Sequence, residues 1–379
     1  EQGFTVVRIA RPDALLGARD TAHAALAAGR LAAMAWMTDE WLTRATDPGT
    51  FLAGARSVLL LALPYRGGAA PPAAPTEGTE PDALPLSRGR VARYAQGRDY
   101  HRVFESKLRR IAGHIREESG AEARSTVDYG PLLERPFAAA AGMGWLGKST
   151  MLLVPGLGPW VLLGAVATTL ELAPDAPLQK SCGSCTRCVV ACPTGALGSE
   201  GNVLDARLCI SYHTIENRGS IPRELRSKFA DWVFGCDACL DSCPVGAGNT
   251  AAHPDFRPAD IEASRPSLSG LLALDGEAFR ARFQGRAIMR AKRDGLVRNA
   301  AVALGNVGSS GDLDALIAAL ADPSPVVREH VAWGIGRLAA RHGLQSAALA
   351  ALENQLRTED YPAVRAELLA SCAELAAPA

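Results

Sequence analysis

Apolar residues recur three and four positions apart through "DYHRVFESKLRRIAGHIREESG", where Phe104, Leu108, Ile111 and Ile115 share one face of a predicted helix. Asp99 can cap its start and Gly120 can end it. Residues 15 to 37, rich in Ala and Leu, predict an earlier helix. Between the two, "SVLLLALPY" from Ser57 to Tyr65 is a short apolar run closed by a proline, the pattern of a buried strand. Residues 66 to 90 are rich in Pro, Gly and Ala and read as a surface loop. Ser149 to Leu170 is uncharged and long enough to cross a membrane. Pro155, Gly156, Gly158 and Pro159 interrupt it, so it reads as two buried strands, "MLLV" and "WVLLGAVAT", joined by a turn. The region up to about residue 175 thus mixes helices with strands. From about residue 268 the pattern is helical throughout, and it repeats. "LVRNAAVALGNVG", "VVREHVAWGIGRL" and "AVRAELLASCAEL" share a V-R core at Val297-Arg298, Val327-Arg328 and Val364-Arg365. Asp322-Pro323 and Tyr361-Pro362 give helix starts before the second and third copies. The spacing, about 30 to 40 residues, predicts a short α-solenoid.

Composition sharpens this picture at the cysteines. Lys plus Arg and Asp plus Glu number 40 each, so no global charge points to a nucleic acid or a membrane. The 379 residues, 48% hydrophobic, supply cores for two or three domains. Nine cysteines are present, and eight of them lie between Cys182 and Cys243. A disulfide framework would staple a small secreted chain; this crowding in a large one points to metal ligation in a reducing, cytosolic compartment. The first twenty residues show neither an apolar signal core nor a twin arginine.

"CGSCTRCVVACPTGAL" carries C-x2-C-x2-C-x3-C-P, the iron–sulfur run of bacterial ferredoxins. In two-cluster proteins the cysteine before the proline ligates the other cluster. The second run, "CDACLDSCP", lacks its first cysteine locally, and Cys209 can supply it. One cluster then takes Cys182, Cys185, Cys188 and Cys243; the other takes Cys209, Cys236, Cys239 and Cys192. Cys372 is left over as a core thiol. Two zinc sites of four thiolates are the rival reading. The spaced thiols ending twice in Cys-Pro favour iron–sulfur, hence a one-electron relay.

Upstream, "AGMGWLGKS" satisfies the G-x4-G-K-[ST] spacing at Gly142, Gly147, Lys148 and Ser149. A phosphate loop follows a strand and opens a helix. Here a predicted helix, "LLERPFAAAAG", precedes and an apolar strand comes after, so nucleotide hydrolysis is disfavoured against a close-packed connection. Asp128, in "TVDYGPLL", stands before a turn; it is either a capping residue or a proton donor whose pKa burial would raise.

Taken together, "RATDPGTFLAGARSVLLLALPY", "GRVARYAQGRDYHRV", "VDYGPLLERPFAAAAGMGWLGKSTMLL", the two cysteine runs, "LCISYHTIENRGSIP" and the helical tail resemble the epoxyqueuosine reductases over most of the chain. The resemblance implies an α+β multidomain protein. Residues 1–177 would form an α/β, reductive-dehalogenase-like domain binding cobalamin and substrate. Residues 178–255 would form a ferredoxin-like domain with two [4Fe–4S] clusters, and 268–379 a HEAT-like solenoid that binds tRNA. It implies reduction of epoxyqueuosine to queuosine at the wobble position of tRNA, the clusters reducing the cobalamin and the epoxide oxygen leaving as water. Asp128 matches the family's proposed proton donor. Arg44, Gly142, Gly144, Trp145, Gly147, Lys148, Ser211, His213, Gly235 and Asp237 match segments that line the cobalamin and substrate pocket. An external donor of flavodoxin or ferredoxin type and a monomeric chain outside the membrane are also implied. Ser149 stands where the family pattern has Asn, His213 where Leu is common, and Ala92 where some members carry Cys.

One charge run interrupts the balance. Phe279 to Arg298 holds Arg280, Arg282, Arg286, Arg290, Lys292, Arg293 and Arg298 against a single acid, Asp294. Charge runs are usually solvated helix faces. Placed before a solenoid, this one predicts contacts to tRNA phosphates. Two other readings compete: a reductive dehalogenase, which would carry a twin-arginine signal and no helical tail, and a non-enzymatic electron carrier with a partner-binding tail, which leaves Asp128 and "GMGWLGKS" without a role.

Overall fold

The computed structural model describes residues 2–67 and 87–377. The stretch read as a Pro- and Gly-rich loop lies, over 68–86, outside the described residues. The chain divides into two compact units. The first takes in the described parts of 1–69, 97–209 and 237–257; the second, those of 70–96, 210–236 and 258–379.

The first unit is built on a four-stranded antiparallel sheet. Ser57–Pro64 pairs with Val6–Ala10 on one side and Val161–Thr168 on the other, and Ala123–Thr126 closes the far edge. Both inner strands are apolar runs of eight residues, as strands covered on both faces must be. Val58, Leu60, Ala62, Ala165 and Ala167 are fully buried in the core. The amphipathic helix forms as expected over Tyr100–Ser119, with Asp99 accepting from the His101 N–H and Gly120 ending it at φ +69°. Val103, Phe104 and Leu108 are its buried side. The helix predicted over 15 to 37 is shorter, Leu16–Ala27, and gives way to turns. Leu152–Leu153 forms a strand but pairs with Trp145–Leu146, while Val161–Thr168 joins the main sheet. No helix among the described residues is long and apolar enough to cross a membrane.

The second unit carries the repeats. Lys292–Val307, Pro325–His342 and Pro362–Ala376 are the three V-R helices, and Val297, Val327 and Val364 are all fully buried. Pro362 starts the third helix as predicted; the second begins at Pro325, two residues beyond Pro323. The arginines of the second and third copies fasten the chain that precedes each helix. Arg328 donates to the carbonyls of Asp322 and Pro323, and Arg365 to those of Leu356 and Glu359. Arg298 does the same for a stretch of chain much earlier in sequence, donating to the carbonyls of His213, Asn217 and Gly219.

Segment 221–226 is held to the solenoid by buried charge. The Arg226 guanidinium, 2% exposed, bridges Glu329 at 2.5 Å and Glu367 at 2.9 Å. Removing one partner of such a buried set strands the others without water. Arg226→Ala is therefore expected to destabilise the second unit by about 3–5 kcal/mol, read by chemical denaturation; a change below about 1 kcal/mol, the scale of an exposed pair, would contradict this.

Candidate functional site

The first cysteine set closes in space. Cys182, Cys185, Cys188 and Cys243 line one cavity of about 130 Å³, together with Trp145, Lys148, Ser149 and Leu153. Cys182 and Cys185 precede a short helix, Arg187–Ala191, that carries Cys188 and packs on Ala238–Asp241, and this second helix leads into Cys243. Burial pushes the thiols of Cys188 and Cys243 above their ordinary value, and the neighbouring thiols push the same way. Four sulfurs set around one cavity form a donor set that iron would satisfy. The four-thiolate lining matches the ligand set of a [4Fe–4S] cluster. Of the second set, Cys192, Cys209 and Cys239 belong to the first unit and Cys236 ends a stretch of the second.

The glycine-rich segment wraps the same cavity. The Lys148 N–H points at Cys182 Sγ, 3.4 Å away. A side chain on Gly147 would strike Leu153 at 2.7 Å and stand 3.5 Å from Cys182 Sγ. Gly142 and Gly144 lie against the carbonyls of Ala176 and Leu153, where a Cβ would be 2.0 and 2.3 Å from oxygen. Ser149 leads into the strand Leu152–Leu153 and opens no helix, so the segment is no phosphate loop.

Asp128 sits on a turn in left-handed backbone, φ +49°, a conformation aspartate tolerates better than most residues. Its Oδ2 is 3.2 Å from His101 Nε2, and its N–H donates to Glu134 Oε1 at 2.6 Å. The other His101 nitrogen, Nδ1, is 2.7 Å from Asp99 Oδ1. Tyr100 stacks on the imidazole at 4.0 Å and Tyr129 at 5.3 Å, and the Tyr129 hydroxyl donates to Glu105. Loss of water contact pushes the Asp128 carboxyl up. Hydrogen bonds from His101 and Tyr100, with the charges of His101 and Arg135, outweigh it and bring the carboxyl below its ordinary range. The expectation that burial would raise this pKa is thus corrected: the side chain is 63% exposed and faces a cation. Desolvation works against a charged His101, but the bonds and charges of Asp128 and Asp99 raise it to about 9. Glu134 is pushed up to about 7, by desolvation first and the Asp128 charge next.

The remaining residues matched to the cofactor pocket fall into two groups. Arg44 is exposed in the last turn of Asp39–Ala45, and Trp145, Lys148 and Ser211 are half-buried. His213 and Asp237 are buried, each 4% exposed. His213 Nδ1 meets Asn217 Nδ2 at 3.1 Å, and its ring packs on Phe229. Gly235 is in left-handed backbone beside Ala92, which a Cβ would strike at 2.5 Å. These three are buried.

Comparison with known proteins decides the family. Residues 45–129 match the model described as Epoxyqueuosine reductase QueG, DUF1730; 181–246 match the 4Fe-4S double cluster binding domain, and 286–373 match HEAT repeats. An epoxyqueuosine reductase of Gloeobacter violaceus is 40% identical over 81% of this chain and 94% of its own length. One from Aliivibrio fischeri is 35% identical over 82% and 81%. The chain belongs to the epoxyqueuosine reductases. A crystal structure of an epoxyqueuosine reductase with an epoxyqueuosine-modified stem loop of tRNA-Tyr superposes with a TM-score of 0.89 at 29% identity, over 99% of this chain and 96% of that one. The Bacillus subtilis epoxyqueuosine reductase, described with its catalytic aspartate loop swung out of the active site, gives 0.85 at 28% identity, over 98% and 95%.

Within this reductase the basic run does not form one stripe. It is split over the helix Gly276–Phe283, a 3-10 turn at Ala287–Ala291 and the helix Lys292–Val307. Arg298 is fully buried and spends its guanidinium on backbone carbonyls and Asn299, which corrects its expected role as a phosphate contact. Arg293 bridges Asp322, Arg290 chelates Glu216 and Arg282 bonds Glu262. Arg280 and Lys292 are exposed and Arg286 half-buried. Sequence reasoning missed His101, Tyr129 and Glu134. A histidine two residues after a capping aspartate was the visible signal for the first; the others depend on the turn at Asp128.

Proposed function

We propose that this chain reduces epoxyqueuosine to queuosine at the wobble position of tRNA. The observation that supports it best is the likeness, over nearly the whole chain, to an epoxyqueuosine reductase crystallised with an epoxyqueuosine-modified stem loop. On this reading the enzyme works in the cytoplasm as a monomer. The division of labour is 1–177 for cofactor and substrate, 178–255 for electrons and 268–379 for tRNA. The eight clustered cysteines hold two [4Fe–4S] clusters, the second by Cys209, Cys236, Cys239 and Cys192. The clusters carry single electrons from a flavodoxin- or ferredoxin-type donor. In the first unit, exposed Arg44 and half-buried Trp145 and Lys148 are the residues that would hold cobalamin. Bound there, cobalamin supplies a strong reductant once reduced. The protein orients the modified base, excludes water and delivers a proton through Asp128. The test is conversion of epoxyqueuosine-containing tRNA by anaerobically reconstituted protein with cobalamin and a chemical reductant, with nucleosides read by chromatography. Failure to form queuosine with clusters and cobalamin both loaded sinks the reading.

The tRNA contact is proposed for the accessible cations. Reversing Arg280, Arg286 and Lys292 to Glu is expected to weaken tRNA binding and flatten its salt dependence by roughly 0.7–0.9 per lost phosphate contact. Arg290 and Arg293, already paired with acids, are expected to contribute less. An unchanged salt slope in the triple variant would take this segment out of the interface.

A further inference from the structure

We infer that His101, held by Asp99, is a positioning residue for Asp128 and the store of the proton that Asp128 passes on. This rests on the reductase reading. The geometry comes first. His101 offers one ring nitrogen to each of two carboxylates, Asp99 at 2.7 Å and Asp128 at 3.2 Å. Two ionised carboxylates need two donors, so the imidazole that satisfies both is the protonated one. Tyr100 and Tyr129 stack on the ring and fix its plane, and aromatic faces suit a cation. Asp99 is itself fixed, since the same Oδ1 caps the helix through the His101 N–H at 3.0 Å.

The charged groups around this ring come from three elements. Its own helix and cap supply Asp99, Arg102 and Glu105. The turn supplies Asp128 and Tyr129, and the helix Glu134–Ala140 supplies Glu134 and Arg135. The balance leaves His101 protonated to about pH 9 and Asp128 ionised. The resting proton therefore sits on Nε2, and the acid that faces substrate is the pair. Loss of the epoxide oxygen as water takes two electrons and two protons. The external one-electron donor supplies the electrons. For each proton, the Nε2–H bond breaks, Asp128 relays the proton to the substrate oxygen, and an O–H bond forms there. The two C–O bonds of the epoxide break, the two electrons form a C=C bond between its carbons, and the oxygen leaves as water. His101, its side chain 25% exposed, is reprotonated from solvent. The same ion pair holds the Asp128 turn in place.

The experiment is a pH series of single-turnover conversion by prereduced, fully loaded enzyme. Wild type is expected to lose rate as pH rises through about 9. Asp99→Asn removes a charge that raises His101, so its alkaline limb is expected to move down by about one pH unit or more. His101→Gln is expected to lose that limb and to be slower by roughly tenfold to a hundredfold, the scale for an outer partner of a reacting group. A structural role alone would lower the rate without moving the limb. Ring NMR of His101 in the oxidised protein gives a second readout: its titration is expected near pH 9 and lower in Asp128→Asn. An active wild type whose limb ignores both substitutions, or a His101 that titrates in the ordinary histidine range, overturns this inference alone. An inactive, fully loaded wild type overturns the reductase reading and this inference with it.

Discussion

Asp128→Asn is expected to slow single-turnover conversion of epoxyqueuosine by about a hundred- to ten-thousand-fold, the usual worth of a positioned general acid. The substitution is close to isosteric. It leaves the Asp128 N–H to Glu134 bond, which uses backbone, and the amide can still meet His101 Nε2. What is lost is the ability to take a proton from His101 and give it to substrate. The assay should start from prereduced enzyme, so that electron delivery does not set the rate. Cobalamin and tRNA binding are expected to survive. Wild-type turnover in the variant would strip Asp128 of its role. Loss of cobalamin binding would make it a pocket residue and send the proton through another group.

Glu134 offers a comparison inside the same turn. Its carboxyl is pushed up to about 7, so near neutrality it exchanges between an ionised acceptor and a neutral acid beneath the Asp128 amide. Asp128 therefore carries the larger expected effect.

The repeating tail, the eight clustered thiols and the capped helix after Asp99 were legible in the sequence because each shows as a spacing of residues along the chain. The three V-R copies gave three helices with the same buried valine. The arginines show where such reading ends. Arg298 and Lys292 look alike in a charge run, yet one is sealed inside on carbonyls of 213–219 and the other is in water. That difference is made by a stretch of chain some eighty residues earlier, which no local pattern encodes. Asp128 failed similarly at the level of its pKa. From sequence, burial was the available cause of a shift; the cation that reverses its sign belongs to a helix start 27 residues upstream. The glycines of "AGMGWLGKS" matched a phosphate-loop spacing by coincidence of close packing, each set against backbone or the Leu153 side chain.

Cys243→Ala is expected to remove one cluster of two and abolish multiple turnover, although Cys243 is fifty-five residues beyond Cys188. The cavity makes this a sharp expectation, because Cys243 lines it with Cys182, Cys185 and Cys188 and not with the cysteines nearest to it in sequence. Anaerobically reconstituted wild type should hold about eight iron and eight sulfide per chain, four for each cluster. Cys243→Ala and Cys185→Ala should each fall to about half, and combining them should cost no further iron, since both disable the same cluster. Cys209→Ala should remove the other half, so that Cys209→Ala with Cys243→Ala holds almost none. Cys372→Ala, at a half-buried thiol packed on the solenoid core, should keep about eight. Electron delivery passes through both clusters on the proposed route, so multiple turnover is expected to drop to background in either single loss. A single turnover from chemically prereduced protein should be spared far more. Full iron in Cys243→Ala, or additive loss in Cys243→Ala with Cys185→Ala, would break the cross-run pairing and with it the proposed two-cluster wire.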